Sequence, residues 1–153
     1  MTRENVQFSN ILVAIDGSEQ STKAAEYAIS ITKKYNAQLI ALCVIDVSRI
    51  TPDSSIFVTS PIYPLVALEG LREQAQQWLD KIGKLAEPFN IHFKSEIDQS
   101  TSVAATIIDY AERNNINLIV LGTKGRSGFK KLLLGSVASG VITYAYCPVI
   151  VIK

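Results

Sequence analysis

Short, continuous apolar runs alternate with stretches of helical spacing along the chain. Ile11-Leu12-Val13-Ala14-Ile15 is a β-type run, and residues 19–35 then place Ala24, Tyr27, Ala28, Ile31 and Tyr35 on one helical stripe. Residues 38–45 read as a second strand, apolar on both faces. Over 65–86 the apolar positions Leu68, Leu71, Ala75, Trp78 or Leu79, Ile82 and Leu85 recur at helical spacing, and Pro88 closes the helix. Residues 91–97 alternate, 103–113 are helical through Ala104, Ile107, Ile108 and Ala111, and 118–121 form a fourth strand. A helix over 136–146 and a strand over 149–152 complete the pattern. Strands alternating with helices predict an α/β fold, a three-layer open five-stranded parallel sheet with helices on both faces.

The character of the strands also predicts their order. Five parallel strands commonly run 3-2-1-4-5 or 2-1-3-4-5. Strand 2 is apolar throughout, as an interior strand should be. Strand 3 sets Ile91, Phe93, Ser95 and Ile97 against His92, Lys94, Glu96 and Asp98, as an edge strand with one wetted face should. The order 3-2-1-4-5 follows. Its direction reverses between strands 1 and 4, so a ligand crevice should open between the loops at Asp16 and Gly122. The connection over 46–64 contains Pro52, Pro61 and Pro64 and shows no regular pattern, which fits either a lid or partner surface or an insert without a role.

The glycines gather at that crevice. Gly122-Thr123-Lys124-Gly125-Arg126-Ser127-Gly128 follows strand 4, and Gly135-Ser136 opens the last helix. Phosphate binding needs close backbone approach, converging N–H donors and the positive end of a helix, and a glycine turn leading into a helix supplies all three. Lys124, Arg126, Lys130 and Lys131 add positive charge. On spacing alone, the same glycines could merely turn the chain, with Ser136 as an ordinary N-cap. Neither G-x-x-x-x-G-K-[ST] nor G-x-G-x-x-G is present, which excludes an ordinary P-loop NTPase and a dinucleotide-dependent oxidoreductase. Asp16 ends strand 1, where its carboxylate could accept hydrogen bonds from a base or ribose, or brace the turn by bonding nearby backbone. Ser18 reads as the N-cap of the first helix, with Glu19 in its first turn.

Ile15-Asp16-Gly17-Ser18 with Ser21 and Ala24-Ala25, then Val44-Ile45-Asp46, then Gly122-x2-Gly125-x9-Gly135-Ser136 and Cys147-Pro148-Val149 together resemble the universal stress proteins. The resemblance spans the chain in order, and the glycine pattern is that of the family's ATP-binding branch. It implies the adenine nucleotide alpha hydrolase-like fold. It also implies that Asp16 and the backbone around Ala14, Ile15 and Val44 hold adenine and ribose. Gly122, Gly125, Arg126, Gly135, Ser136 and Val137 would surround ribose and phosphates, with Mg²⁺ brought by the nucleotide. Lys124 falls where the family varies, and a phosphate contact from it is an addition that the resemblance does not itself supply. The family dimerises through its last strand, and 149–152 is a short apolar edge that invites such pairing.

Composition narrows the remaining choices. The 153 residues suit a single domain, with 48% apolar and 19% charged residues and a net charge of +1. That balance gives no general attraction to nucleic acid or anionic membrane. The N-terminus lacks a secretory signal's apolar stretch, and the longest apolar run, 39–45, is far too short to span a bilayer, so a cytoplasmic protein is expected. Cys43 and Cys147 read as two inert buried thiols. His92 falls on the polar side of the edge strand, Ser136 has no base placed beside it, and no metal-ligand cluster appears, so no catalytic residue or metal ligand is assigned. The chain therefore reads as an ATP-binding stress-response module, the alternative being a slow or partner-dependent ATP hydrolase, with a further protein partner allowed.

Overall fold

The computed structural model describes residues 5–50, 63–124 and 134–153. Five strands, β1 (Asn10–Ala14), β2 (Gln38–Asp46), β3 (His92–Ser100), β4 (Leu118–Gly122) and β5 (Val149–Ile152), form one parallel sheet in the order β3-β2-β1-β4-β5. The expected order holds. Among the described residues four α-helices cover it: α1 (Glu19–Tyr35), α2 (Tyr63–Ala86), α3 (Val103–Arg113) and α4 (Ser136–Tyr144). None of the described helices is long and apolar enough to cross a membrane.

The continuous apolar runs are explained by two cores, one on each face of the sheet. Ile11, Val13, Leu39, Ala41, Leu118 and Val120 pack under α1 and α2 against Ala24, Ala28, Ala75, Leu79 and Ile82. The alternate positions Leu12, Ile40, Leu42, Ile119 and Leu121 pack on the other face against Ile107, Tyr110, Ala111, Ala138 and Val141. An inner strand therefore has no polar position to spare, because successive side chains enter opposite cores. At the edge, β3 leaves His92 and Lys94 exposed while Phe93 and Ser95 are half-buried.

Helix ends follow local chemistry. The Ser18 hydroxyl accepts from the Ser21 N–H at 3.1 Å to open α1, and Asn36, at φ 53°, closes it with its N–H on the Lys33 and Thr32 carbonyls. Such a left-handed terminus suits asparagine better than most residues.

The structure corrects three details. Part of the featureless 46–64 connection is ordered: Val47–Arg49 is a 3-10 turn, and α2 already begins at Tyr63. Pro64 is then its second residue, where a missing N–H costs nothing. Residues 51–62 lie outside the described residues. Second, α4 stops at Tyr144, because Ala145 turns extended and the Tyr146 hydroxyl reaches across to the Ala111 and Ile116 carbonyls, at 2.8 and 2.5 Å. Third, Cys43 is buried but Cys147 only half-buried, both as free thiols.

Candidate functional site

A cavity of about 670 Å³ opens where the strand order reverses. Its floor is made by the C-terminal ends of three strands: Ala14, Ile15 and Asp16 after β1, residues 42–46 of β2, and residues 121–124 after β4. The first turns of α3 and α4 and the Leu71, Gln74 and Trp78 side of α2 form its walls.

On the β1 side the turn is built by its own side chains. One oxygen of the Asp16 carboxylate accepts from the Ser18 N–H at 3.0 Å and from the Ser18 hydroxyl at 2.5 Å. The Ser21 hydroxyl donates to the Ser18 carbonyl at 2.9 Å and lies 3.4 Å from the Asp16 N–H. Gly17 sits at φ +82°, and a Cβ there would fall 2.2 Å from Trp78 Cε2. Only glycine satisfies both the left-handed backbone and the indole lying against it. The bracing role read for Asp16 is thus present, and the same residue also lines the cavity.

Next to this turn, β2 runs on after β1 has ended. The ladder between them stops at Ala14 opposite Leu42, with a last bond from the Ile15 N–H to the Leu42 carbonyl at 2.9 Å. Alternate residues of a strand direct their backbone groups to the same side. Val44, two residues on, therefore turns its N–H and C=O toward the β1 side, past the end of β1 and into the cavity. Beneath it the Cys43 thiol is pushed up to about 11, mainly by burial and further by the charge of Asp16. At the rim, Asp46 caps the 3-10 turn through the Ser48 N–H and pairs with Arg49 at 3.3 Å.

The β4 side is assembled from distant parts of the chain. The Thr123 N–H donates to the Ile152 carbonyl at 2.9 Å, and the Thr123 carbonyl accepts from the Gly135 N–H at 2.6 Å. The Lys124 N–H donates to Gln20 Oε1 at 2.9 Å. A Cβ on Gly122 would come within 3.0 Å of Gln20 Cβ and 3.2 Å of its backbone, so this glycine has a packing reason in α1. The N-cap of α4 is Gly135, at φ −71° and ψ 166°, not Ser136 as one sequence reading had it. Extended backbone at Gly135 moves the cap one residue earlier and makes Ser136 the first helical residue, so no side chain caps the helix. The leading N–H groups of α4, which have no partner inside the helix, face the cavity with the helix's positive end.

Of the residues singled out in sequence, Ala14, Ile15, Asp16, Val44, Gly122, Lys124, Gly135, Ser136 and Val137 all line this one cavity. Gly125 and Arg126 lie outside the described residues, as do Lys130 and Lys131. His92 lies exposed at the opposite end of the sheet, where β3 begins beside Gln38. Sequence reading missed Trp78, Gln74 and the start of α3 at Thr101 and Ser102. The helical spacing left Trp78 or Leu79 open. Leu79 takes the core position at 1% exposed, which turns Trp78 to the cavity. The α3 start was within reach of the strand order, which already put the C-terminal end of strand 3 next to that of strand 2.

Residues 7–153 match the profile of the universal stress protein family. The chain belongs to that family. A universal stress protein of Methanocaldococcus jannaschii is 38% identical over 149 residues, which are 95% of this chain and 82% of that protein. Among solved structures, the universal stress protein UspA from Lactobacillus plantarum is 31% identical with a TM-score of 0.74, and the match covers 97% of this chain and 100% of that one. A universal stress protein from Archaeoglobus fulgidus, in complex with dAMP, shares the fold at a TM-score of 0.67 and 19% identity, over 97% of this chain and 100% of that one.

Proposed function

We propose that the cavity binds ATP, with Mg²⁺ carried by the nucleotide, and that this universal stress protein is a single-domain cytoplasmic regulatory module of the stress response that pairs with a second copy through β5. One observation carries the reading. A turn carboxylate, a stretch of β2 that runs on past the end of its β1 partner and a helix start with no side-chain cap converge on a single cavity. These are the donors and acceptors that a ribose, a base and a phosphate chain require.

The residues divide accordingly. The N–H and C=O of Val44 form a donor–acceptor pair of the kind that meets N1 and the 6-amino group of adenine, while Ala14 and Ile15 floor the base. Asp16 accepts from ribose hydroxyls. The leading N–H groups of α4 at Ser136 and Val137, with the backbone of Gly122 and Gly135, receive the phosphates, and Lys124 adds charge. Gly125 and Arg126 enter on family resemblance alone. Bound Mg²⁺ would neutralise phosphate charge. The dAMP complex of the Archaeoglobus protein supports an adenine nucleotide as the ligand class.

Calorimetric titration with Mg-ATP, AMP and NAD tests the reading, alongside analysis of any nucleotide that copurifies. Micromolar ATP binding is expected. No heat and no retained nucleotide would overturn it and leave a scaffold whose glycines only shape the chain. Pairing through β5 is checked separately. Val149, Ile150 and Val151 are half-buried on an edge strand, and Ile150→Glu should shift sedimentation from dimer to monomer; an unchanged profile would remove β5 from the contact.

A further inference from the structure

Gln20 is absent from every motif that marks the site, yet it is tied to the corner where the phosphates are placed. It is the second residue of α1 and half-buried. Its Oε1 accepts from the Lys124 N–H at 2.9 Å across 104 residues of sequence. Its Cβ and backbone occupy the space that a side chain at Gly122 would need. Two residues before it, Ser18 bonds the Asp16 carboxylate. The first turn of α1 therefore braces both lips of the cavity, Asp16 through Ser18 and Lys124 through Gln20.

We propose that Gln20 is a positioning residue for the nucleotide, whose carboxamide fixes the 122–124 corner so that the phosphate groups, and not the nucleoside, depend on it. The inference rests on the nucleotide reading above. Its reasoning is geometric. A corner that begins with a glycine is soft. The bond from Lys124 to Gln20, together with those of Thr123 to Ile152 and of Gly135 to Thr123, sets where its backbone lies relative to the start of α4. The Asp16 and Val44 groups on the other lip do not pass through Gln20, so loss of the carboxamide should leave them in place.

Gln20→Met tests this, since the variant keeps the side chain's length and its packing on Gly122 but removes the acceptor. Affinities of wild type and variant are compared by calorimetry for adenosine, AMP and Mg-ATP, with thermal unfolding recorded for both. In the variant, ATP should bind about tenfold more weakly, adenosine within about twofold of wild type, and the Lys124 amide should lose protection from hydrogen exchange. Equal losses for adenosine and ATP would overturn the positioning role and leave Gln20 a structural residue. An unchanged ATP affinity in a folded variant would overturn it too. Wild-type protein that binds neither adenosine nor ATP would instead sink the nucleotide reading itself, and the two failures are thereby told apart.

Discussion

Among the described residues, the side-chain bonds at the Asp16–Ser18 turn join residues no more than five positions apart, and Trp78 buttresses it from α2. At the 122–124 corner the partners are Gln20, Ile152 and Gly135, drawn from α1, β5 and the start of α4. The first lip is built largely by a local motif, with a packing contact from α2. The second exists only once the sheet, two helices and the last strand are in place. A local lip should fail all at once when its single special residue is changed. An assembled lip should lose geometry before it loses stability.

The largest effect is expected from Gly17→Val. A branched side chain meets both a left-handed backbone at φ +82° and the Trp78 indole at 2.2 Å. Backbone strain and displacement of the indole together should cost about 3 kcal/mol, measured by urea unfolding. Trp78 is the chain's single tryptophan, so its fluorescence reports the displacement directly. A loss below about 1 kcal/mol would mean that the indole swings aside freely and the local lip is not braced by α2.

The same contrast decides what was legible in the sequence. Ser18 as N-cap, Asp16 at the switch point and the edge position of β3 all follow from short-range chemistry or strand patterning, and the structure shows each of them. Val44 came only through family resemblance, because its proposed role depends on β1 ending while β2 runs on, a fact of register. Gln20 left no signal, since a polar residue in a first helical turn is ordinary and its partner lies 104 positions away. Gly122 was read for ligand approach, whereas the described geometry gives it a packing partner in α1. A missing side chain says that something comes close but does not say what.

The β2 side of the cavity carries an alkaline weakness. Cys43 lies at the β2 end of the cavity, 2% exposed, with its thiol raised from 9.0 to about 11 by burial and by Asp16. Below pH 9 the thiol is protonated in both folded and unfolded chains and costs nothing. Between pH 9 and 11 only the unfolded chain ionises, so stability is lost as pH rises, by on the order of 2 kcal/mol. The Tyr110 hydroxyl, raised by burial and by Glu96, acts in the same direction at higher pH. Unfolding free energies measured from pH 8 to 11 should fall, and Cys43→Ala should flatten the first part of that fall. An equally steep decline in the variant would assign it to other groups.

The smallest change in stability, and the sharpest test of an assembled lip, is expected at Gly140. A Cβ there would stand 2.9 Å from the Ala104 Cβ, so this glycine lets α4 lie close on the start of α3. In Gly140→Ala, the gain in helix propensity, about 1 kcal/mol, offsets part of the overpacking, and net stability should move by no more than about 1 kcal/mol. The geometry has no such offset. The two helices must shift apart where Gly140 meets Ala104, and Ala104 itself lines the cavity that the start of α4 faces. ATP affinity should fall several-fold while adenosine affinity holds. Ala104→Gly in the same chain removes the opposing methyl and should restore ATP binding, with the relief of overpacking roughly offsetting its cost in helix propensity. Recovery in the double variant with little change in unfolding free energy would separate position from stability. Failure to recover would show that the start of α4 is not set by its contact with α3.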